Sequence, residues 1–281
     1  MILIVESGST KADWVLLEGG VSKISFQTKG WNPLFLVAEE MKIRLRSYKE
    51  LQSVFSRIEQ LYFYAPGCSY IESKEVLKSL LELMFVNAKV VVQSDLLAAA
   101  RAVYKNKPLF VSILGTGSNT AFYDGELLEQ FTPSLGYILG DEGSGVSLGR
   151  TLLRAYLYQN LPADLYTEFS KKYSISKELV LKSVYKQEHP NRFLASYVPF
   201  LVEHKKHPFV VELVRKEFEC YLNTHILSNP VCSDFALAFV GSVAFYFQDV
   251  MREICKQNNL SIAEIVQSPI DGLRTYHSLK S

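Results

Sequence analysis

A pattern of a short apolar strand, a turn of small residues and a β-hairpin occurs twice in the chain. The first copy covers residues 2–27, with its hairpin turn at Gly19-Gly20, and the second covers residues 110–131. Two such halves place their small-residue turns opposite each other across a cleft. The repeat predicts an α/β protein of two similar domains with an interdomain cleft. Because strand and hairpin units are common in α/β proteins, the pattern alone leaves a chance similarity open.

The rest of the first half alternates between helical and strand patterns. Apolar residues recur at helical spacing over 35–58 and 72–85, and buried strands are predicted at 61–65 and 89–92. The predicted order of elements in this half is β-β-β-α-β-α-β.

A long helical region dominates the second half. It covers about residues 145–227 and is interrupted near Pro162, Pro190 and Pro208, because proline is disfavoured inside a helix. A strand is predicted at 236–240, and Gly241-Ser242 opens the next helix.

The length of 281 residues suits one large domain or two smaller ones, and two is the better fit for several βα units. We predict a first domain at 1–108 and a second at 109–281, with the helical insertion in the second. The last helix, after Pro269, is expected to return to the first domain. The helical stretch 192–227 offers a face for a homodimer.

Charge argues against polyanionic partners. Lys and Arg total 30 against 29 Asp and Glu, so no long-range field gathers nucleic acid or an anionic membrane. The first residues lack the basic segment of a signal peptide, and about 18 consecutive apolar residues occur nowhere. A cytoplasmic location is therefore predicted by elimination.

The four cysteines are scattered, with no CxxC pair. This spacing argues against a zinc knuckle or a disulfide scaffold and is typical of buried thiols in a reducing compartment. His204 and His207 are three residues apart, which predicts that they share one face of a helix. No third metal ligand is near them in the sequence, so a solvated helix end is the favoured interpretation.

Two turns of small residues follow apolar strands directly. Their side chains are too small to keep a phosphate from backbone N–H groups, so each turn is a candidate phosphate loop. Neither matches a Walker A loop, and each alone is equally compatible with a plain tight turn. The two candidate loops are Gly8-Ser9-Thr10 and Gly115-Thr116-Gly117-Ser118.

Asp95 follows the strand at 89–92 and begins an alanine-rich helix. One interpretation is a general base that deprotonates a substrate hydroxyl during phosphoryl transfer. The alternative is a helix N-cap, and one carboxylate cannot easily fill both roles.

A second acidic position lies in the glycine-rich segment 140–145, which contains Asp141 and Glu142. Carboxylates in such a loop suit vicinal sugar hydroxyls or a Mg²⁺ ion held through water, and an acidic N-cap is the alternative. Glu6, at the end of the first strand, is the other candidate near a metal.

Taken in order, several short motifs resemble the N-acetylglucosamine kinase group of the BadF/BadG ATPase branch, within the actin, sugar kinase and Hsp70 superfamily. The resemblance covers nearly the whole chain, and the order and separation of 114–119 and 139–144 are its most specific part. The motifs are 6–10, Asp13-Trp14, Asn32-Pro33, Ser94-Asp95, 114–119, 139–144 and 240–243.

The resemblance implies two RNase H-like (actin-like ATPase) domains, ATP and Mg²⁺ as cofactors, and a role for each matching position. Asp95 is the implied catalytic base, and Glu6 the implied metal residue, acting through water. Gly8, Ser9, Thr10, Lys11, Gly115, Thr116, Gly117 and Ser118 are implied to bind the ATP phosphates. Gly241 and Ser242 are implied to bind adenosine, and Asn32, Gly67, Asp95, Thr116, Gly140 and Asp141 to bind the sugar.

The chain departs from the family pattern at two of these places. Glu6 stands where the family usually has Asp, and the adenosine loop has Gly241-Ser242 in place of a Gly-Gly pair. The first change affects the expected metal geometry, and the second affects the expected nucleotide preference.

The resemblance implies ATP-dependent phosphorylation of an N-acetylated amino sugar, N-acetylglucosamine or N-acetylmuramic acid, at the 6-hydroxyl. Two alternatives remain: an ATPase that activates a partner enzyme, and an amino-sugar sensor without catalysis. Such activators ligate an iron–sulfur cluster through cysteines, which the scattered cysteines here disfavour.

Overall fold

Each copy of the sequence repeat forms a mixed five-stranded sheet in the computed structural model, which describes residues 1–33 and 38–279. Residues 1–105 and 268–281 make up one unit, and residues 106–267 make up the other.

The first unit has the strand order β3-β2-β1-β4-β5. Strands β1, β4 and β5 are parallel, whereas β1, β2 and β3 form an antiparallel meander. Gly19 and Gly20 both have positive φ (57° and 76°), as a two-residue type I′ hairpin turn requires, so the predicted Gly-Gly turn is confirmed. The strands are β1 (Ile2–Ser7), β2 (Lys11–Glu18), β3 (Val21–Lys29), β4 (Gln60–Ala65) and β5 (Lys89–Ser94).

Helices cover both faces of this sheet, because β1 and β2 are apolar on both sides. On one face Trp14 packs against Phe26, Trp31 and Phe63, with ring centroids 5.6–6.0 Å apart. The helices of the first part of the chain are α1 (Ala38–Ser47), α2 (Lys49–Gln52), α3 (Ile71–Met84) and α4 (Asp95–Val103), with a 3₁₀ turn at Phe55–Arg57. The single helix predicted at 35–58 is therefore wrong beyond Ser47, and its residues 35–37 lie outside the described residues.

The second unit repeats the same topology, with the order β10-β9-β6-β7-β8 and parallel β6, β9 and β10. The predicted strand 127–131 shortens to two residues, and β10 was not predicted. The strands are β6 (Leu109–Leu114), β7 (Ser118–Tyr123), β8 (Leu128–Glu129), β9 (Ala236–Val240) and β10 (Ile262–Val266).

The helical insertion lies between β8 and β9. Pro190 and Pro208 each begin a helix, and Pro162 immediately precedes one, as the interruptions predicted. Its helices are α5 (Gly136–Leu139), α6 (Gly145–Leu157), α7 (Ala163–Lys172), α8 (Lys177–Tyr185), α9 (Pro190–Ala195), α10 (Val198–Glu203) and α11 (Pro208–His225). Two further helices, α12 (Ser242–Tyr246) and α13 (Gln248–Gln257), lie between β9 and β10.

The last helix, α14 (Ile270–Ser278), belongs to the first unit. It lies so close to α4 that a Cβ at Gly272 would be 2.2 Å from the Ala102 carbonyl oxygen. Leu273 is fully buried with Ile4 and Ala98. Among the described residues, no helix is both long and apolar enough to cross a bilayer.

Candidate functional site

The first small-residue turn joins β1 to β2. Gly8 N donates to Lys11 O (2.8 Å), and Gly30 N donates to Thr10 O (2.9 Å). A Cβ at Gly30 would be 2.2 Å from Gly8 O, so only glycine fits there. The turn is thus held tightly against the end of β3, and the half-buried Asn32 follows that contact in the chain.

Two carboxyl groups lie at the start of this turn. Glu6 and Asp13 are cross-strand partners in the β1–β2 ladder, and Asp13 is 6% exposed. Asp13 accepts from Gln27 Nε2 (2.5 Å) and is 3.1 Å from Lys11 Nζ. Burial, with the negative charges of Asp13 and Asp95, raises the pKa of Glu6 to about 8. This end of the sheet therefore carries more acid than the surrounding protein neutralises.

Asp95 lies at the carboxyl end of β5, where α4 begins. Ser94 is the N-cap of α4, because its Oγ accepts from Leu97 N (3.2 Å). Asp95 Oδ1 accepts from Leu96 N (2.9 Å), and burial raises the pKa of Asp95 to about 6. Ser94 thus occupies the N-cap position, and Asp95 is the first residue of the helix.

Gly67 lies in the turn after β4, the strand beside β5. It has φ +79°, which suits the turn Ala65-Pro66-Gly67-Cys68 that is closed by a bond from Cys68 N to Ala65 O (3.4 Å). Burial and the charge of Asp95 raise the pKa of the Cys68 thiol to about 12. The turn and the carboxylate are therefore neighbours at one edge of the sheet.

The second small-residue turn joins β6 to β7 and lies against the start of α6. Gly145 N donates to Gly115 O (2.8 Å), and Val146 N donates to Thr116 O (3.0 Å). Ser118 Oγ is buried and has no hydrogen-bond partner among the described residues. Such an orphaned hydroxyl is expected where a ligand completes the hydrogen bonding.

Asp141 holds this turn from the acidic loop. Its Oδ1 accepts from Ser118 N (3.1 Å), and a Cβ at Gly117 would be 2.9 Å from its Oδ2. Burial raises its pKa, and its backbone is left-handed, with φ +61°. Ser144 caps α6 through a bond from Ser147 N (3.3 Å), so Asp141 does not cap that helix.

The predicted adenosine loop follows β9. Gly241 has φ +126°, and a Cβ there would be 2.3 Å from Leu114 O. Its N–H donates to Val266 O (2.9 Å), and the exposed Ser242 begins α12. Gly241 therefore lies beside the end of β6, where the second turn starts.

The predicted shared helical face of His204 and His207 is wrong. His204 follows α10, whereas His207 is the N-cap of α11. Each ring pairs with a different carboxylate, Glu168 (3.3 Å) and Asp164 (3.2 Å).

Within 1–33 and 38–279, no three His, Cys, Asp or Glu side chains are grouped to coordinate a metal directly. The first unit brings together the 8–11 turn, Glu6, Gly67 and Asp95, and the second brings together 115–118, 140–141 and 241. Sequence reasoning gave no role to Asp13, although a buried acid in the apolar strand Lys11–Glu18 was a usable signal.

No protein-family model matches the chain, and no curated protein does. Solved structures do match. A Porphyromonas gingivalis protein provisionally assigned as an N-acetylglucosamine kinase is 37% identical, with a TM-score of 0.94 over 99% of both chains. A Chromobacterium violaceum protein with the same provisional assignment is 16% identical, with a TM-score of 0.65 over 98% of both chains.

A ROK family glucokinase from Streptomyces griseus, solved with glucose and AMPPNP, is 17% identical, with a TM-score of 0.59 over 99% of this chain and 98% of that one. At that identity the likeness concerns the fold, and it confirms the predicted α/β class with two actin-like, RNase H-like domains. From the first match, the chain belongs to the N-acetylglucosamine kinase-like family of the actin, sugar kinase and Hsp70 superfamily.

Proposed function

We propose that this protein is an ATP-dependent kinase that phosphorylates the 6-hydroxyl of an N-acetylated amino sugar. The observation that carries the proposal is Asp95, a carboxyl group at a strand end whose pKa is raised to about 6 and which the helix cap does not require. A base with that pKa is ionised at neutral pH and is still basic enough to take a proton from an alcohol as the P–O bond forms.

In the proposed reaction, Asp95 accepts the proton of the sugar hydroxyl while that oxygen attacks the γ-phosphorus of ATP. The bond from the γ-phosphorus to the bridging oxygen breaks, and ADP leaves. The bond from Leu96 N to Asp95 Oδ1 fixes the orientation of the carboxylate. Positioning of this kind supplies much of the catalysis in phosphoryl transfer.

The phosphates of ATP are assigned to the two small-residue turns, through backbone N–H groups and the hydroxyls of Ser9, Thr10, Thr116 and Ser118. Support comes from the buried, unpartnered Ser118 Oγ and from the absence of bulky side chains at Gly8, Gly115 and Gly117. Lys11 adds positive charge beside the first turn. Gly241 and Ser242 are assigned to adenosine.

Mg²⁺ fits the acidic end of the first turn. Burial raises the pKa of Glu6 most, and repulsion from Asp13 and Asp95, which a cation would offset, raises it further. Since no three ligands converge in the described residues, Glu6 would hold the metal through water. The metal would neutralise charge on the phosphates.

The amino sugar is assigned to Asn32, Gly67, Asp95, Thr116, Gly140 and Asp141. A carboxylate such as Asp141 accepts from sugar hydroxyls, and its bond from Ser118 N fixes it in place. N-acetylglucosamine is the first candidate, because the Porphyromonas gingivalis relative carries that assignment. N-acetylmuramic acid differs at one ring substituent and is the second.

The test is ADP release by purified protein with Mg·ATP and a panel of N-acetylglucosamine, N-acetylmuramic acid, glucosamine and glucose. Stimulation by one N-acetylated sugar, with a 6-phosphate product identified by mass spectrometry and NMR, is expected. ATP hydrolysis that no sugar stimulates would instead favour an ATPase that activates a partner. Sugar binding without any ATP turnover would favour a sensor.

A further inference from the structure

One face of α11 packs against the acidic loop, residues 140–145, and against the start of α6. Glu217, Tyr221 and His225 recur at a spacing of four residues, so their side chains form one stripe along the helix. Glu217 Oε1 accepts from Thr151 Oγ1 (2.7 Å), and its Oε2 accepts from Ser147 Oγ. The first turns of α6 are thus attached to α11 through one carboxylate.

Tyr221, the middle residue of the stripe, is in close steric contact with the loop. Gly143 has φ +68°, and a Cβ there would be 2.8 Å from Tyr221 Cβ. The Tyr221 hydroxyl forms a hydrogen bond with Thr120 Oγ1 on β7. Tyr221 therefore packs against Gly143 of the loop. Its hydroxyl also links α11 to β7, the strand that follows the second small-residue turn.

The end of the stripe holds the loop by charge. His225 Nε2 lies 2.9 Å from Glu142 Oε2, and the His225 side chain is only 6% exposed. A carboxylate only accepts, so Nε2 carries the proton, while Nδ1 is buried without a partner in the described part of the chain. Loss of the bond to Glu142 would leave both ring nitrogens of this buried histidine without a partner, so the bond stabilises the folded loop.

Glu142 directly follows Asp141, whose left-handed backbone is unfavourable for a residue other than glycine. Glycines flank this acidic pair, so the sequence itself adds little stiffness. The loop is fixed by the contacts of Glu142 with His225 and of Gly143 with Tyr221, in addition to the bond from Ser118 N to Asp141 Oδ1. Without the first of them, Asp141 loses the anchor next to it in the chain.

We propose that His225 is a positioning residue which, by binding Glu142, holds Asp141 in the geometry that binds the acceptor sugar. The inference rests on the proposed function for its kinetic consequence. His225 acts through the loop and does not touch the sugar or the reacting atoms.

The first experiment compares steady-state kinetics of His225→Leu and His225→Gln with the unsubstituted protein. Loss of a buried charge-assisted hydrogen bond is expected to raise the sugar KM roughly tenfold in the leucine variant. KM for ATP and kcat should change by about threefold or less, because His225 bonds to Glu142, which is assigned neither to ATP nor to the proton transfer. Glutamine, whose amide N–H approximates Nε2–H, should restore most of the sugar affinity.

His204→Leu is the matched control, because it removes another histidine paired with a carboxylate, Glu168, on the same unit. It should leave the sugar KM unchanged. Thermal unfolding of each variant monitors the fold. Equal losses for sugar and ATP, a fall in kcat alone, or a glutamine variant as impaired as the leucine variant would overturn the proposal.

A second readout does not depend on catalysis. Hydrogen exchange of the amides of residues 140–144 should be faster in His225→Leu than in the unsubstituted protein, and near normal in His225→Gln. If no amino sugar is phosphorylated, the proposed function fails while this measurement still decides the positioning role. Unchanged exchange in the leucine variant would reject that role.

Discussion

In the first unit, carboxyl groups lie near the end of β1 (Glu6) and directly after β5 (Asp95), whereas β6 and β10 of the second unit end in the apolar Leu114 and Val266. Both sheets have the same strand order, so the difference lies in the side chains at equivalent strand ends. In the first unit, burial raises the pKa of both Glu6 and Asp95, and the negative charges of Asp13 and Asp95 raise that of Glu6 further. In the second, Asp141 is held by a backbone N–H.

The comparison teaches that duplication of one topology need not duplicate its chemistry. In the function proposed above, the first unit would supply the proton acceptor, Asp95, and the carboxyl group that faces a cation, Glu6. The second supplies fixed N–H and hydroxyl donors, supported by a helical insertion that the first unit lacks. The following experiments separate these two contributions.

The largest expected effect comes from comparing Asp95→Asn with Asp141→Asn. Loss of the proposed base should lower kcat roughly 10²- to 10⁴-fold and leave sugar binding by calorimetry nearly intact. Loss of the Asp141 charge should mainly raise the sugar KM. Asp124→Asn, in an exposed hairpin turn, is the control. Normal turnover by Asp95→Asn would refute the base assignment.

A smaller effect is expected from Gly117→Ala compared with Gly8→Ala. The added methyl group at 117 would be 2.9 Å from the Asp141 carboxylate, whereas at 8 its nearest contact is an ordinary 3.6 Å to Lys11 O. Displacing that carboxylate should lower kcat/KM for the sugar roughly 10- to 100-fold. Gly8→Ala, in the turn assigned to the ATP phosphates, should chiefly raise KM for ATP and change kcat/KM for the sugar by about threefold or less at saturating ATP. Equal effects would mean that the two turns are equally tight, contrary to the distances.

The smallest effect concerns stability. The pKa of Glu6 is raised from 4.5 to about 8, so the folded protein binds this proton more tightly than the unfolded chain. Ionised Glu6 therefore lowers the free energy of unfolding progressively as the pH rises from 4.5 to about 8. Glu6→Gln should raise Tm in metal-free buffer by about 4 °C at about pH 9 but little at about pH 5. A Tm difference independent of pH would contradict the buried acidic pair.

Much of the fold was predictable because its signals are local. The Gly19-Gly20 turn, the strand at 236–240 and the helix starts near Pro190 and Pro208 each depend on a few adjacent residues. Strand β10 was not predicted, because Ile262–Val266 is short, contains Glu264 and is only partly buried at the sheet edge. The predicted helix at 35–58 is interrupted after Ser47 and again after Gln52.

The sequence proposes residues for the candidate site but does not reveal the contacts that hold them. For Asp95 and Asp141 the sequence left helix capping and a functional role open, and the structure has Ser94 and Ser144 at the two N-cap positions. The pairing of His225 with Glu142 joins positions 83 residues apart, which no local pattern reveals. Such contacts exist only once the helical insertion has packed.

The return of α14 to the first unit has a consequence for how the protein is made. The helix that buries Leu273 against Ile4 and Ala98 is encoded after the whole second unit, so the ribosome releases it late. The first unit cannot complete its core during synthesis until the second has emerged. A gene fragment that ends before residue 268 would leave this face of the first sheet covered by α4 but not by α14, and the apolar surface so exposed is expected to promote aggregation.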